Sequence, residues 1–215
     1  GSEMCIRDSK IGVSSTLCKY MLLPYLKEFI HRNPHISISI ECQSTNETLK
    51  LLDDDKIDIG LIGKPASLKT FNFYYLDNIE DIFVTTKDYL RNLSARGVKK
   101  SEILQNSTLM LLDKGNMTRK YIDDYLQENQ IHVKDSIDIS NMDLLIDFAK
   151  IGVGVACVIK SIVSKELADG TLIEIPLGIP IHKREVGFAY KESSKLSTSL
   201  QTFIKFYESY TPEDF

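Results

Sequence analysis

Apolar and polar positions change rhythm repeatedly along this chain. Residues 10–13 form a short apolar strand that ends at once in Ser14, Ser15 and Thr16. Helical spacing follows at Leu17, Met21, Leu22, Tyr25, Leu26, Phe29 and Ile30. Pro24 interrupts that stripe, so the pattern predicts a first turn and a restart with Pro24 near N1, stopped by Asn33-Pro34. Ile36, Ile38, Ile40 and Cys42 then alternate with His35, Ser37, Ser39 and Glu41, the period of a strand. Ser44 and Glu47 have the spacing of a capping box, opening a helix through Leu49, Leu51 and Leu52. An acidic turn, Asp53-Asp54-Asp55, precedes a buried-looking strand at 57–62, which Gly63-Lys64-Pro65 breaks. The order βαβαβ favours a parallel sheet with helical crossovers, an α/β fold.

Residues 73–76 and 79–86 read as two more strands separated by Asp77-Asn78. A second βα series begins near residue 100. It runs as a short helix at 101–105, a strand at 108–112, a turn at 113–116 and a helix at 118–128. A strand at 136–139 and a helix capped by Ser140 through Ala149 follow. Gly152-Val153-Gly154 leads into a strand at 155–159, then come a helix at 161–168 stopped by Gly170 and a strand at 172–175. The chain closes with a strand at 185–190 and an amphipathic helix at 200–210, with Leu200, Phe203, Ile204 and Tyr207 on one face.

Composition narrows the functional classes. The 215 residues are 43% hydrophobic and 26% charged, values of an ordinary globular protein and enough for one large domain or two lobes of about 100 residues. The net charge of -4 argues against a duplex-gripping surface on this chain alone. The longest nearly apolar run, 151–159, is far short of the ~20 residues of a membrane helix, so no membrane partner is expected. The first ten residues show no signal peptide, and Gly1-Ser2 looks like a cleavage scar, so 1–9 reads as a tag or linker remnant. Cys5, Cys18, Cys42 and Cys157 form no CxxC pair and have no His at ligand spacing. They read as small hydrophobes, three of them within apolar stretches, in a reducing cytosol, with no metal and no cofactor expected.

Candidate chemistry gathers in small polar turns between a strand's carboxyl end and a helix start: Ser14-Ser15-Thr16, Ser44-Thr45, Asn116-Met117-Thr118 and Ser140. In an open α/β sheet this edge is where ligands bind, and helix N-termini there offer free N–H groups to an anion. Capping alone also explains such residues. Lys64 can serve either as a partner for an anionic ligand or as one more surface lysine. His31, His35, His132 and His182 read as surface residues, Asp53–Asp55 as a solvated turn and Gly152-Val153-Gly154 as tight packing, because no catalytic or dinucleotide pattern surrounds them.

These residues, taken in order, resemble a known family. Ile11-Gly12-Val13-Ser14-Ser15-Thr16, Leu22-Leu23-Pro24-Tyr25-Leu26 with Phe29, and Asn33-Pro34 look like the opening of the effector-binding domain of LysR-type transcriptional regulators. Leu52 to Ile57-Asp58-Ile59-Gly60-Leu61, then Ile151-Gly152-Val153-Gly154-Val155, then Glu166-Leu167-Ala168-Asp169-Gly170-Thr171-Leu172 continue the likeness, which covers about 10–208.

The resemblance implies a two-lobed fold like type 2 periplasmic binding proteins, each lobe a mixed, mostly parallel sheet flanked by helices. Lobe I would be 10–84 plus 186–215 and lobe II 85–185, crossing at 83–86 and 184–188, with an effector in the cleft. It also implies effector contacts at Ser14, Ser15, Thr16, Ser44, Thr45, Asn116, Met117, Thr118 and Ser140. Further, it implies a homodimer, and a tetramer at full length, with DNA bound only through a winged helix-turn-helix that would precede residue 10. Apolar faces at 17–30 and 121–126 could serve the dimer or the core.

The expected function is ligand sensing for a cytoplasmic regulator, the effector being a small, anionic metabolite. An extracytoplasmic solute-binding protein of a transporter would share the fold and is the alternative, separable by the upstream reading frame. Enzymatic activity is not expected, since no His, Cys or carboxylate set converges on the candidate turns.

Overall fold

Five strands and the helices between them build each of two sheets in the computed structural model, which describes residues 9–213. The chain divides into two units, one made of residues up to Asn78 and from Glu185 onward, the other of Ile79–Arg184.

In the first unit, β1 (Ser9–Val13) lies between β2 (Ile38–Cys42) and β3 (Ile59–Gly63), parallel to both. The long strand β10 (Arg184–Lys191) runs antiparallel to β3, and β4 (Phe71–Ile79) forms the far edge. The sheet order is therefore β2-β1-β3-β10-β4. Ser9 is already β1: it pairs with Ile38, is buried and sits 3.3 Å from the Ser197 hydroxyl. Of the segment 1–9 that the sequence reads as a remnant, Ser9 is therefore part of the fold, and the other residues, with Cys5, lie outside the described ones.

The first helical stripe is one rod with a widened middle. α1 (Ser15–Leu17) passes into a π-helical turn, Cys18–Leu22, and then α2 (Leu23–Arg32), where Pro24 occupies the first helical turn as its spacing predicts. The wide turn closes by a bond from the Leu23 N–H to the Cys18 carbonyl, and proline, lacking an N–H, is tolerated just beyond it. Leu22, Leu26 and Phe29 point into the core. There they meet α8 (Thr198–Ser209), whose Leu200, Phe203, Ile204 and Tyr207 are all buried. Phe203 packs edge-on to Phe29 and Phe188, at centroid distances of 5.1 and 6.0 Å. The Tyr207 hydroxyl donates to the Met21 carbonyl at 2.9 Å, and burial raises its pKa above the usual phenol value.

In the second unit, β6 (Thr108–Leu112) runs parallel to β7 (Asp135–Ile139) and β8 (Val155–Ile159), while β5 (Asp81–Thr85) is antiparallel to β8 and to the short β9 (Ile173–Glu174). Phe83, Leu109, Leu111, Ile122, Val155 and Leu93 fill its core. The sequence assigned 79–84 to the first lobe. In the structure these residues group with the second unit, because β5 hydrogen-bonds to β8 and β9 there. Asp77 and Asn78, expected to separate two strands, extend β4 instead. Residues 87–99 had no assigned element, yet Lys87–Ala95 is a helix, α4, capped by Thr86 and followed by Gly97 at φ 80°. The expected helix at 161–168 is split into a 3-10 turn, Lys160–Val163, and α7 (Ser164–Asp169), which Gly170 ends at φ 80°. Cys42 is exposed, contrary to its reading as a small buried hydrophobe, because β2 is the outermost strand; Cys18 and Cys157 are buried.

Gly154 marks a close backbone approach. A Cβ there would lie 2.2 Å from the Thr108 carbonyl oxygen, and the Thr85 hydroxyl donates to the Gly154 carbonyl at 2.8 Å. Gly154→Ala should therefore lower stability by roughly 1–3 kcal/mol, the usual range for forced overpacking. Gly115→Ala, whose added Cβ would meet nothing closer than 4.0 Å, should change it by less than about 0.5 kcal/mol. Urea unfolding reads both as a shift in midpoint at constant slope.

Candidate functional site

Parallel pairing decides where the polar turns fall. Val13 pairs with both Cys42 and Leu61, so the carboxyl ends of β1, β2 and β3 share one edge of the first sheet. Ser14–Thr16, Ser44–Thr45 and Lys64 follow directly from those ends. In the second unit Leu112 pairs with Ile139, which places Asn116–Thr118 and Ser140 on one edge of that sheet.

Each turn opens a helix by a side-chain cap. Ser14 Oγ accepts from the Leu17 N–H at 3.3 Å, and the Cys18 N–H reaches the Ser14 carbonyl at 2.9 Å. Intrahelical bonding thus starts at Cys18, and the amides of Ser15 and Thr16 have no acceptor within the helix. Ser44 Oγ accepts from the Glu47 N–H at 3.2 Å, the expected capping-box bond, at the head of α3 (Thr45–Asp53). The amides of Thr45 and Asn46 are left facing the strand ends in the same way. Ser15 and Ser44 are exposed, and Ser14, Thr16 and Thr45 are half-buried.

In the second unit Asn116 caps α5 (Met117–Glu128), its Oδ1 accepting from the Thr118 N–H at 2.8 Å. That amide is therefore engaged, while the first helical residue, Met117, has no intrahelical acceptor. Ser140 is not the cap of the next helix: Asn141 is, accepting from the Leu144 N–H at 2.9 Å at the start of α6 (Met142–Lys150). A cap must reach the third amide of its helix, and Asn141 stands at that spacing from Leu144. Ser140 is left exposed between β7 and the cap.

Lys64 already has a partner. Its ammonium lies 3.3 Å from Glu185 Oε2 and 5.5 Å from the centre of the Phe73 ring, and its backbone N–H donates to the Glu185 carbonyl at 2.8 Å. The side chains are 43% and 46% exposed, so this pair contributes about 0–1 kcal/mol and yields readily to a better acceptor. All four histidines lie exposed.

Arg119 belongs to the edge of the second sheet too, although no motif in the sequence marks it. It is 7% exposed, with Nε donating to Asp123 at 2.9 Å and Nη1 donating to the Leu112 carbonyl at 2.8 Å and to Asp138 at 2.6 Å. It ties the end of β6 to the end of β7 directly under the Asn116 and Ser140 turns. Burial opposes its charge, but the hydrogen bonds to Asp138 and Asp123 outweigh that and raise its pKa. The same bond from Arg119 holds the Asp138 carboxyl below its usual 3.8. A signal was available: Arg119 occupies the stripe of Ile122 and Leu126, both buried, where a charge is out of place unless paired.

A pair of five-stranded mixed sheets flanked by helices, each with polar turns at its strand ends, is the type 2 periplasmic-binding-like architecture. The LysR substrate binding domain family matches residues 8–211, and the chain belongs to that family. Over 198 residues it is 23% identical to an uncharacterized HTH-type transcriptional regulator, YeiE, of Escherichia coli (strain K12), covering 92% of this chain and 66% of that protein. The chain thus spans a little under two thirds of that relative's length. The CcmR regulatory domain of Synechocystis PCC6803 in complex with 2-PG superposes with a TM-score of 0.79 at 18% identity, covering 94% of this chain and 96% of that one. The sulfate-bound regulatory domain of an OxyR2 mutant from Vibrio vulnificus gives 0.75 at 14%, covering 95% and 96%.

Asp138→Asn keeps an acceptor for Arg119 but loses the charge. Because the folded carboxyl titrates below its unfolded value, its contribution is complete above 3.8 and fades as the pH falls through the lower folded value. The variant should be less stable than the parent at neutral pH, the gap closing under acid conditions, as urea unfolding across a buffer series will show.

Proposed function

We propose that this chain is the effector-sensing part of a LysR-type transcriptional regulator, and that its effector is a small anion engaged by the strand-end turns. The observation that carries the reading is the parallel register, which gathers capped helix starts with unengaged amides on one edge of each sheet. In the first unit the contacts are the Ser15, Thr16, Thr45 and Asn46 amides, the Ser14 and Ser44 hydroxyls and the Lys64 ammonium. In the second they are the Met117 amide, Asn116, Thr118 and the Ser140 hydroxyl. Proteins of this fold with 2-PG and with sulfate bound support an anionic ligand.

Regulator relatives support sensing over solute delivery and over catalysis. An effector that prefers one conformation shifts the population toward it, and in an intact, cytoplasmic regulator that shift would act on DNA through a separate N-terminal domain. Sulfate, inorganic phosphate and 2-phosphoglycolate are the probes for thermal unfolding. An effector at 100 times its dissociation constant adds about 2.7 kcal/mol to stability. Ser14→Ala with Thr45→Val should weaken that response at least tenfold while the unliganded chain stays folded. A chain that responds to none of the three, or equally well in the double variant, rules out this site.

A second copy of the chain is the proposed partner of two apolar faces. On α6, Leu144, Phe148 and Ile151 are 43%, 39% and 75% exposed at i, i+4 and i+7. On α2, Leu23 and Ile30 are 43% and 46% exposed. The face at 121–126 cannot serve, since Ile122, Tyr125 and Leu126 are core. Phe148→Glu should convert a dimer to a monomer in sedimentation equilibrium; an unchanged mass would refute the assignment.

A further inference from the structure

A cavity opens in the second unit at the edge of its sheet remote from the polar turns. α5 starts beyond the carboxyl end of β6 and must run back along it, because β7 is parallel to β6. Its last turn therefore stands at the amino ends of those strands, on the side where the 3-10 turn Lys100–Glu102 leads into β6. These two segments and the loop 175–179 enclose about 280 Å³. The floor is apolar: Ile103, Leu104, Tyr125 and Ile175 are all buried core residues. Leu177 is half-buried at its side, and Ile179 lies 61% exposed at its lip.

The walls are fixed by bonds that an occupant need not break. The Tyr125 hydroxyl donates to the Ile179 carbonyl, and the Asn129 side-chain amide donates to the Tyr125 carbonyl at 2.8 Å. The Ile175 N–H donates to the Phe83 carbonyl at 2.8 Å, which anchors the loop to β5, and Pro176 and Pro180 stiffen it. Among the described residues that line the cavity, Lys100 alone carries a charge. It is exposed and forms no ion pair with any described residue. Arg96 and Lys99, also exposed, precede it, so the rim is locally basic on a chain of net charge -4; Glu102, on the same turn, does not line the cavity.

We propose that this cavity is a second small-molecule site, for an amphipathic monocarboxylate whose hydrocarbon part fills the floor and whose carboxylate meets Lys100. An apolar pocket with few polar groups at its mouth is the usual form of such a site. A purely hydrocarbon occupant would leave the lysine unused, an amine would be repelled by it, and a multiply charged anion would press charge against Ile175 and Leu104. The strand-end turns at the other edge offer amides and hydroxyls, so the two sites select different chemistry. This assignment stands independently of the effector reading.

Hexanoate, octanoate and 1-octanol, titrated by calorimetry with methyl NMR to locate them, test the proposal. Octanoate should bind one to one and shift the methyls of Ile103, Leu104 and Ile175. Each buried methylene is worth about fourfold, so octanoate should bind roughly fifteenfold more tightly than hexanoate. Lys100→Gln should weaken octanoate about two- to fivefold, the range of an exposed ion pair, and leave 1-octanol unchanged. Gly178 lines the cavity, and a Cβ added there would meet nothing within 4 Å. Gly178→Trp should therefore fill the mouth and abolish octanoate binding with the urea midpoint unmoved. Ser101→Trp, at the exposed rim of the 3-10 turn, repeats that test if the first variant is destabilised. Absence of saturable octanoate binding, equal affinity for hexanoate and octanoate, or binding that survives both tryptophan variants would overturn the site. Octanoate affinity untouched by Lys100→Gln would overturn the carboxylate assignment. Sulfate and phosphate titrations of Gly178→Trp keep the readings apart: an anion response that persists there while octanoate binding is lost belongs to the turns alone.

Discussion

A buried ion pair within the second unit joins the two ends of the chain segment that forms it. Asp81 opens β5 just after the first passage, and Arg184 is the last residue before the second. The guanidinium meets both carboxylate oxygens, at 2.7 and 2.9 Å, with the side chains 12% and 1% exposed. Tyr121 lays its ring 5.6 Å from the same guanidinium. Paired in this bidentate fashion the charges satisfy each other; removing either would strand the other away from water, a cost of about 3–5 kcal/mol. Every strand of the second unit lies between those two residues in sequence, so this contact closes the loop on which that unit is built. Gly187, a few residues on in β10, lets the strand come against β4, where a Cβ would lie 2.1 Å from the Tyr74 carbonyl oxygen.

The candidate site uses the same economy of local interactions. One hydroxyl or amide at each helix start satisfies one amide, which leaves its neighbours oriented but unengaged. The caps therefore do not compete with the ligand-binding reading; they hold the free donors in place. What differs between the units is the charge beneath. Lys64 and Glu185 form a loose, half-exposed pair at the first edge, whereas Arg119 is locked between Asp123 and Asp138 below the second. The first edge can lend its cation to an anion at small cost. At the second, the buried cation is already committed to two carboxylates.

Where apolar periodicity was strong, local pattern and structure agree closely: strands at 108–112 and 155–159 and the buried stripe of α8 were legible residue by residue. The misreadings have separable physical causes. α4 was overlooked because its apolar side chains are few, although Thr86, Asp88 in the first turn and Gly97 after its end spell out a capped helix. Asp77-Asn78 reads as a break between two strands, but on the edge strand β4 both residues stay exposed without ending it. Ser140 and Asn141 are equally good caps on type alone, and only backbone geometry chooses between them. Arg119 could not be found as a strut without knowing that Asp138 arrives from another strand.

The sheet of the first unit is assembled from two distant stretches of chain. Its strand β10 sits between β3 and β4, and α8 covers its aromatic core, yet both come from the final stretch of the sequence. On the ribosome, the contiguous second unit can complete its hydrogen-bonded ladder first, while β3 and β4 wait with open edges for a strand not yet made. Nascent chains stalled before β10 emerges would expose that gap, making this half of the molecule the natural client of whatever guards unfinished polypeptides.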